Sequence, residues 1–154
     1  MKIIHFTTCI LSLFLICNCA SKTKDGNPIG IKDDKQGKNL TEIYWQLTEL
    51  NGKPVSEFPA QNKEPYILLK EERNRVEGTG GCNSMGGSYV LKGENRITFS
   101  DLIATEMACP GMELESEFHK ALQITDSYET NGKELRLHNE SAGLVAVFQA
   151  SSGK

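Results

Sequence analysis

Ten residues, Gly78-Thr79-Gly80-Gly81-Cys82-Asn83-Ser84-Met85-Gly86-Gly87, hold five glycines around one cysteine. So little side chain offers no helical stripe to bury, and it permits bends that a Cβ would block. Glycines within strand-like sequence mark bulges, sharp bends and close backbone approach. The run is therefore expected to let one strand end, cross the mouth of a barrel and start the next. A phosphate cradle is the rival reading, since Gly78-x-Gly80 starts like a dinucleotide fingerprint. Position 83 is Asn, no helix follows, and the Gly-Lys-Ser/Thr ending of a P-loop is missing, so that reading fails.

Alternating, strand-forming stretches flank the run at 43–47, 65–69, 75–80, 87–91 and 96–99, and return at 126–130, 134–138 and 144–149. Asn51-Gly52 reads as a turn, with positive φ open to Gly52 and Pro54 barring a helix. Polar turns fall at 71–74 and 92–95, and Asn131-Gly132 is the strongest hairpin signal in the chain. In the gap, Leu114, Phe118, Ala121, Leu122 and Thr125 lie at helical spacing. Glu113, Glu115 and Glu117 crowd the first turns, where the helix dipole favours negative charge. The spacing predicts a helix over 113–125. The sum is an α+β fold: a curved, mainly antiparallel sheet of about eight strands, an incomplete barrel, closed by one helix.

Before position 41 the chain changes character. Met1-Lys2 is a short basic start, and 3–17 has no charged side chain, the pattern of a secretory signal. Through Asn18 this run has 16 residues. That is short of the roughly 20 that span a bilayer, which makes a retained anchor the weaker reading. Leu15-Ile16-Cys17-Asn18-Cys19-Ala20 resembles a lipobox, in which the cysteine after the cleaved bond takes diacylglycerol. Cys19 is the favoured acceptor, because Ile16 sits three before it and polar sequence starts directly after. Asn18 stands where a small residue is usual, which leaves Cys17 and plain signal cleavage as rivals. Each buried methylene of an acyl chain contributes about 0.8 kcal/mol, and stable anchoring needs more than one chain. Residues 1–18 are thus expected to be the signal, and 19–40 the lipidated cysteine and a tether. The stretch 20–40 holds five lysines and three aspartates and is too polar to bury a core. If flexible it reaches roughly 25 Å. The domain is expected at 41–150, with a tail at 151–154.

Residues 41–150 carry ten Lys or Arg against 17 Asp or Glu, a net charge of −7. That balance argues against a nucleic-acid partner, whose affinity rests on cationic contacts. The tether, at +2, is the one segment that anionic lipid would attract.

Within the domain Cys82 has one thiol partner available, Cys109. Exported proteins normally crosslink such pairs. A bond enclosing 26 residues would contribute roughly 3–4 kcal/mol. Buried free thiols, a metal site and a catalytic thiol remain the rivals. His119 and His138 are the only histidines near enough in sequence to serve a metal, and neither lies at ligand spacing. No local group would lower the pKa of a nucleophilic cysteine. Neither catalytic, cofactor nor metal residues are assigned. Trp45, Tyr66, Tyr89, Phe99, Phe118 and Phe148 read as core. Met85, Met107 and Met112 read as loop residues packing on the cysteines, with a soft apolar binding patch as the alternative. The face bearing Glu113, Glu115 and Glu117 reads as solvated.

Taken together, Trp45-x-Leu47, Leu50-Asn51-Gly52-Lys53-Pro54, Gly80-Gly81-Cys82-Asn83-x-x-Gly86-x-x-Tyr89, Thr105-x-Met107-Ala108-Cys109-Pro110 and Glu117-x-x-x-x-Ala121-Leu122 resemble the META domain family of HslJ-like heat-shock envelope lipoproteins. The resemblance covers nearly all of 41–150. It implies a compact α+β fold, an association with envelope stress and drug tolerance, and no catalytic residues to carry over. The resulting expectation is a monomeric, non-enzymatic protein of the bacterial envelope, lipid-anchored with the outer membrane favoured, needing no cofactor. It would bind an envelope protein or an apolar ligand. A pilotin-like assembly factor, or an enzyme using a thiol or carboxylate, is the alternative.

Overall fold

Alternating burial along Tyr66–Lys70, Glu134–Asn139 and the first half of Tyr44–Leu50 builds the inward face of the sheet. In β1, Tyr44–Leu50, Trp45, Leu47 and Leu50 turn inward while Thr48 faces solvent. The computed structural model describes residues 40–153. The expected export signal, the lipidated Cys19, most of the tether and the last residue of the tail lie outside them. After β1 come β2 (Lys53–Pro54), β3 (Tyr66–Lys70), β4 (Arg75–Thr79), β5 (Ser84–Lys92) and β6 (Arg96–Ala104). One helix, α1 (Met112–Ile124), precedes β7 (Ser127–Thr130), β8 (Glu134–Asn139) and β9 (Gly143–Ser151).

Every strand pair is antiparallel, and β1 pairs with β9 so that the sheet closes into a ring. The expected curved α+β fold with one helix is borne out. There are nine strands rather than about eight, because Asn51 (φ 50°) and Gly52 (φ 77°) make a two-residue turn that brings short β2 back onto β1. One expectation is corrected. The glycine run does not cross the mouth of a barrel. Gly78 pairs with Met85 and Thr79 with Ser84, so 80–83 is a tight turn between neighbouring strands. β5 and β6 also run longer than expected. A bulge at Asp101 (φ 51°) sets Asp101 and Leu102 against Gly87 and restarts the alternation, with Leu102 half-buried and Ile103 exposed. A Cβ on Gly87 would lie 2.8 Å from the backbone carbonyl oxygen of Ser100, so the close approach at the bulge requires that glycine.

The ring has one thin seam. β6 and β7 share a single register pair, Arg96 with Ser127. Beyond it α1 runs beside β6 and also packs on β1 and β9. The helix buries Leu114, Phe118, Ala121 and Leu122, each larger one contributing about 1.5–3 kcal/mol. It ends where Thr125 turns extended and donates its hydroxyl to Ala121 O at 2.7 Å. Trp45, Ile67, Tyr89, Phe99, Phe118 and Phe148 meet in the core. Tyr66 does not belong there: it is half-buried and stacks on Tyr44 at 4.0 Å between ring centroids.

Candidate functional site

The glycine turn, the segment before α1 and the first turn of α1 converge on Asn83, which is 1% exposed. Its Oδ1 accepts from Thr105 Oγ1 at 2.8 Å and from Met107 N at 2.7 Å. Its Nδ2 donates to Met107 O at 3.1 Å and Glu115 Oε1 at 2.7 Å. Its backbone N–H donates to Glu115 Oε2 at 2.7 Å, an oxygen that also accepts from Cys82 N at 3.1 Å. Two successive amides thus cradle a carboxylate, an arrangement that suits successive N–H groups at a bend. Cys82 and Cys109 are joined by a disulfide with Cα atoms 6.2 Å apart, which adds a covalent tie between the same two segments.

Two glycines are needed for that approach. A Cβ on Gly80 would stand 2.8 Å from Glu115 Cα, and Gly81 has φ 115° with Gln61 packed over it. Gln61 in turn donates to Gly111 O at 3.2 Å, and Lys63 N donates to Gly81 O at 2.9 Å, which brings in the long 55–65 connection.

Gly80, Gly81, Cys82, Asn83, Thr105, Met107 and Cys109 therefore gather in one place. Gly86 and Tyr89 do not; Gly86 lies along β5, and Tyr89 donates its phenol to Lys70 O at 3.1 Å inside the ring. Burial there, with Glu71 and Glu42 next in effect, pushes the Tyr89 phenol above its ordinary range. Ala108 and Pro110 are exposed. Expecting a solvated face over Glu113, Glu115 and Glu117 is wrong for Glu115, because the 80–83 turn presents three donors to it. Glu115 is the residue that sequence reasoning missed. Its place beside Leu114 and three before Phe118, at the border of the buried stripe, was the available signal. Met85 is buried, while Met107 is 62% exposed and Met112 is exposed, so the three form no joint patch.

The arrangement holds shape more than it offers chemistry. Both Cys82 and Cys109 sulfurs are in the bond, and both Glu115 oxygens are engaged by the turn. His119 is on α1 and His138 on β8, where its Nε2 lies 3.9 Å from Glu129. Among the described residues no group of three or more His, Cys, Asp or Glu side chains is placed to hold a metal ion. Along the end of β6 and the segment leading from it to α1, Ile103 at 73% exposure and Met107 are apolar side chains open to solvent, with exposed Thr105 and Glu106 between them.

The sequence model of the META domain matches residues 38–152. Among curated proteins, none matches this chain. Solved structures share the fold, two of them as follows. A protein from Burkholderia xenovorans, solved by NMR, is 24% identical with a TM-score of 0.61, covering 77% of this chain and 88% of its own. A crystal structure of a DUF4847 family protein from Bacteroides vulgatus ATCC 8482 is 14% identical with a TM-score of 0.55, covering 77% of this chain and 99% of its own.

Proposed function

We propose a binding role, without catalysis, for this chain, which belongs to the META domain family. It is a lipid-anchored envelope protein, held by an acylated Cys19, and its domain engages an envelope protein or an apolar ligand under stress or drug challenge. The observation that carries this reading is the hub at Asn83. Its polar groups are turned on one another, so the hub serves as a rigid mount for the 105–109 segment, on which Met107 is displayed to solvent beside Glu106. A rigid mount reduces the ordering cost of association. The disulfide supports export, since such bonds persist in oxidising compartments.

The test is capture from envelope extracts by the full chain, alongside Met107→Glu, with native mass spectrometry of the purified protein for bound lipid. A specific partner or lipid, held about tenfold or more weakly by the variant, is expected. Finding neither, or equal retention by the variant, sinks the reading. Mass spectrometry of the mature protein checks the anchor: an acylated Cys19 is expected, and an unmodified N-terminus refutes it.

A further inference from the structure

We propose that the outer half of β6 and the flank of α1 form a cleft that takes an extended, basic segment of a partner polypeptide as an added strand. The proposal rests on the binding reading above and names the class of partner.

Three observations carry it. First, β6 pairs with β5 on both sides of the Asp101 bulge, but on its other side the ladder stops at Arg96 and Ser127, so among the described residues no strand pairs with 98–104 there. Second, the direction of the free groups is fixed. Ile97 N points across the seam to Asp126 O, and Thr105 N points the other way, to Ser84 O. Strand alternation then aims the N–H and C=O of Ala104 at the unpaired side. Third, that side is not flat solvent. A groove of about 440 Å³ runs between Leu102, Ala104 and Glu106 on one wall and Ser116, His119 and Lys120 of α1 on the other. A groove between an unpaired strand edge and a helix is the setting in which extended peptides dock, with main-chain bonds for affinity and side-chain pockets for choice.

The charge selects the occupant. Glu106 and Glu115 line the groove, Asp101 lies next to it on β6 beyond the exposed Ile103, and Lys120 is the one Lys or Arg among the described residues that line it. The 41–150 region carries −7, which disfavours a second copy and favours a segment with lysine or arginine beside apolar residues.

The full chain is titrated, by NMR of its backbone amides, with a peptide of alternating valine and lysine. A glutamate-for-lysine counterpart and a version N-methylated on alternate amides serve as comparisons. Shifts confined to 98–106 and 115–123 are expected, with both comparison peptides bound about tenfold or more weakly. Ala104→Pro removes the outward N–H and is compatible with an edge position, so it should abolish binding while the thermal midpoint stays near that of the parent. Should Ala104→Pro lower the midpoint, Ile103→Lys, which leaves the backbone intact, gives the same loss. Equal binding of the acidic peptide, indifference to N-methylation, shifts elsewhere, or self-association through this edge overturns the proposal. Retention by Ala104→Pro of a partner captured by the parent chain overturns it too, and leaves the binding reading standing; no captured partner at all refutes that reading instead.

Discussion

Asn83 lies almost fully buried at the turn between β4 and β5, and Asp126 lies partly open at the seam between β6 and β7. Each uses one short side chain to satisfy groups of a distant segment. Asp126 accepts from Glu140 N at 2.7 Å, from Ser127 Oγ at 2.8 Å and from Asn139 Nδ2 at 3.4 Å, and sits 3.5 Å from Arg96. Inside, a neutral amide both gives and receives, so no charge of its own is desolvated. Near water a carboxylate suffices, because solvent meets whatever the protein leaves open. Burial decides which chemistry can serve as the tie, and it also decides how much breaking the tie should cost.

Asn83→Asp attacks the comparison most severely. It puts a carboxylate oxygen where Nδ2 stood, 2.7 Å from Glu115 Oε1. A loss of about 3–5 kcal/mol is expected in urea unfolding at neutral pH. If the loss is below about 1 kcal/mol, the buried hub is no more demanding than the open seam. Next comes the double variant Cys82→Ala with Cys109→Ala, expected to cost about 3–4 kcal/mol by the same measurement. A much smaller cost would mean that the Asn83 network alone fixes the segment.

Asp126→Asn probes the other region and should act mainly through pH. The Glu140 N–H, then the Ser127 hydroxyl, hold the Asp126 carboxyl below its ordinary range. A lowered folded-state pKa contributes stability above the unfolded value of about 3.9, and that contribution is lost as pH falls through the folded value. Melting midpoints of the parent should therefore fall more steeply below pH 4 than those of the variant; parallel curves would remove Asp126 from the account. The smallest effect is expected from Tyr128→Phe. The Tyr128 hydroxyl is buried without a partner among the described residues, so its removal should be neutral within about 0.5 kcal/mol or stabilising. A clear loss would reveal a hydrogen bond at the seam, made through bound water.

The parts of this fold that were legible are those specified by neighbours in sequence. Asn131-Gly132 does join β7 to β8, and the helix expected over 113–125 matches α1 within one residue at each end. What escaped depends on distant segments meeting. The border position of Glu115 on the helical stripe hints at partial burial, but only the approach of the 80–83 turn gives its carboxylate partners. The end of β6 was hidden because the Asp101 bulge breaks the alternation that marks a strand. The gathering of Gly80, Cys82, Asn83, Thr105 and Cys109 was visible as a motif, but its purpose was not, since spacing carries no hydrogen-bond geometry.

The disulfide encloses little besides the β5–β6 hairpin, whose tip at Gly93 is exposed. Exposed tips are where proteases nick a domain. A cut between Lys92 and Asn95 would therefore release no fragment. The nicked chain would run as one species, heavier by a single water, and would come apart only when reductant and denaturant act together.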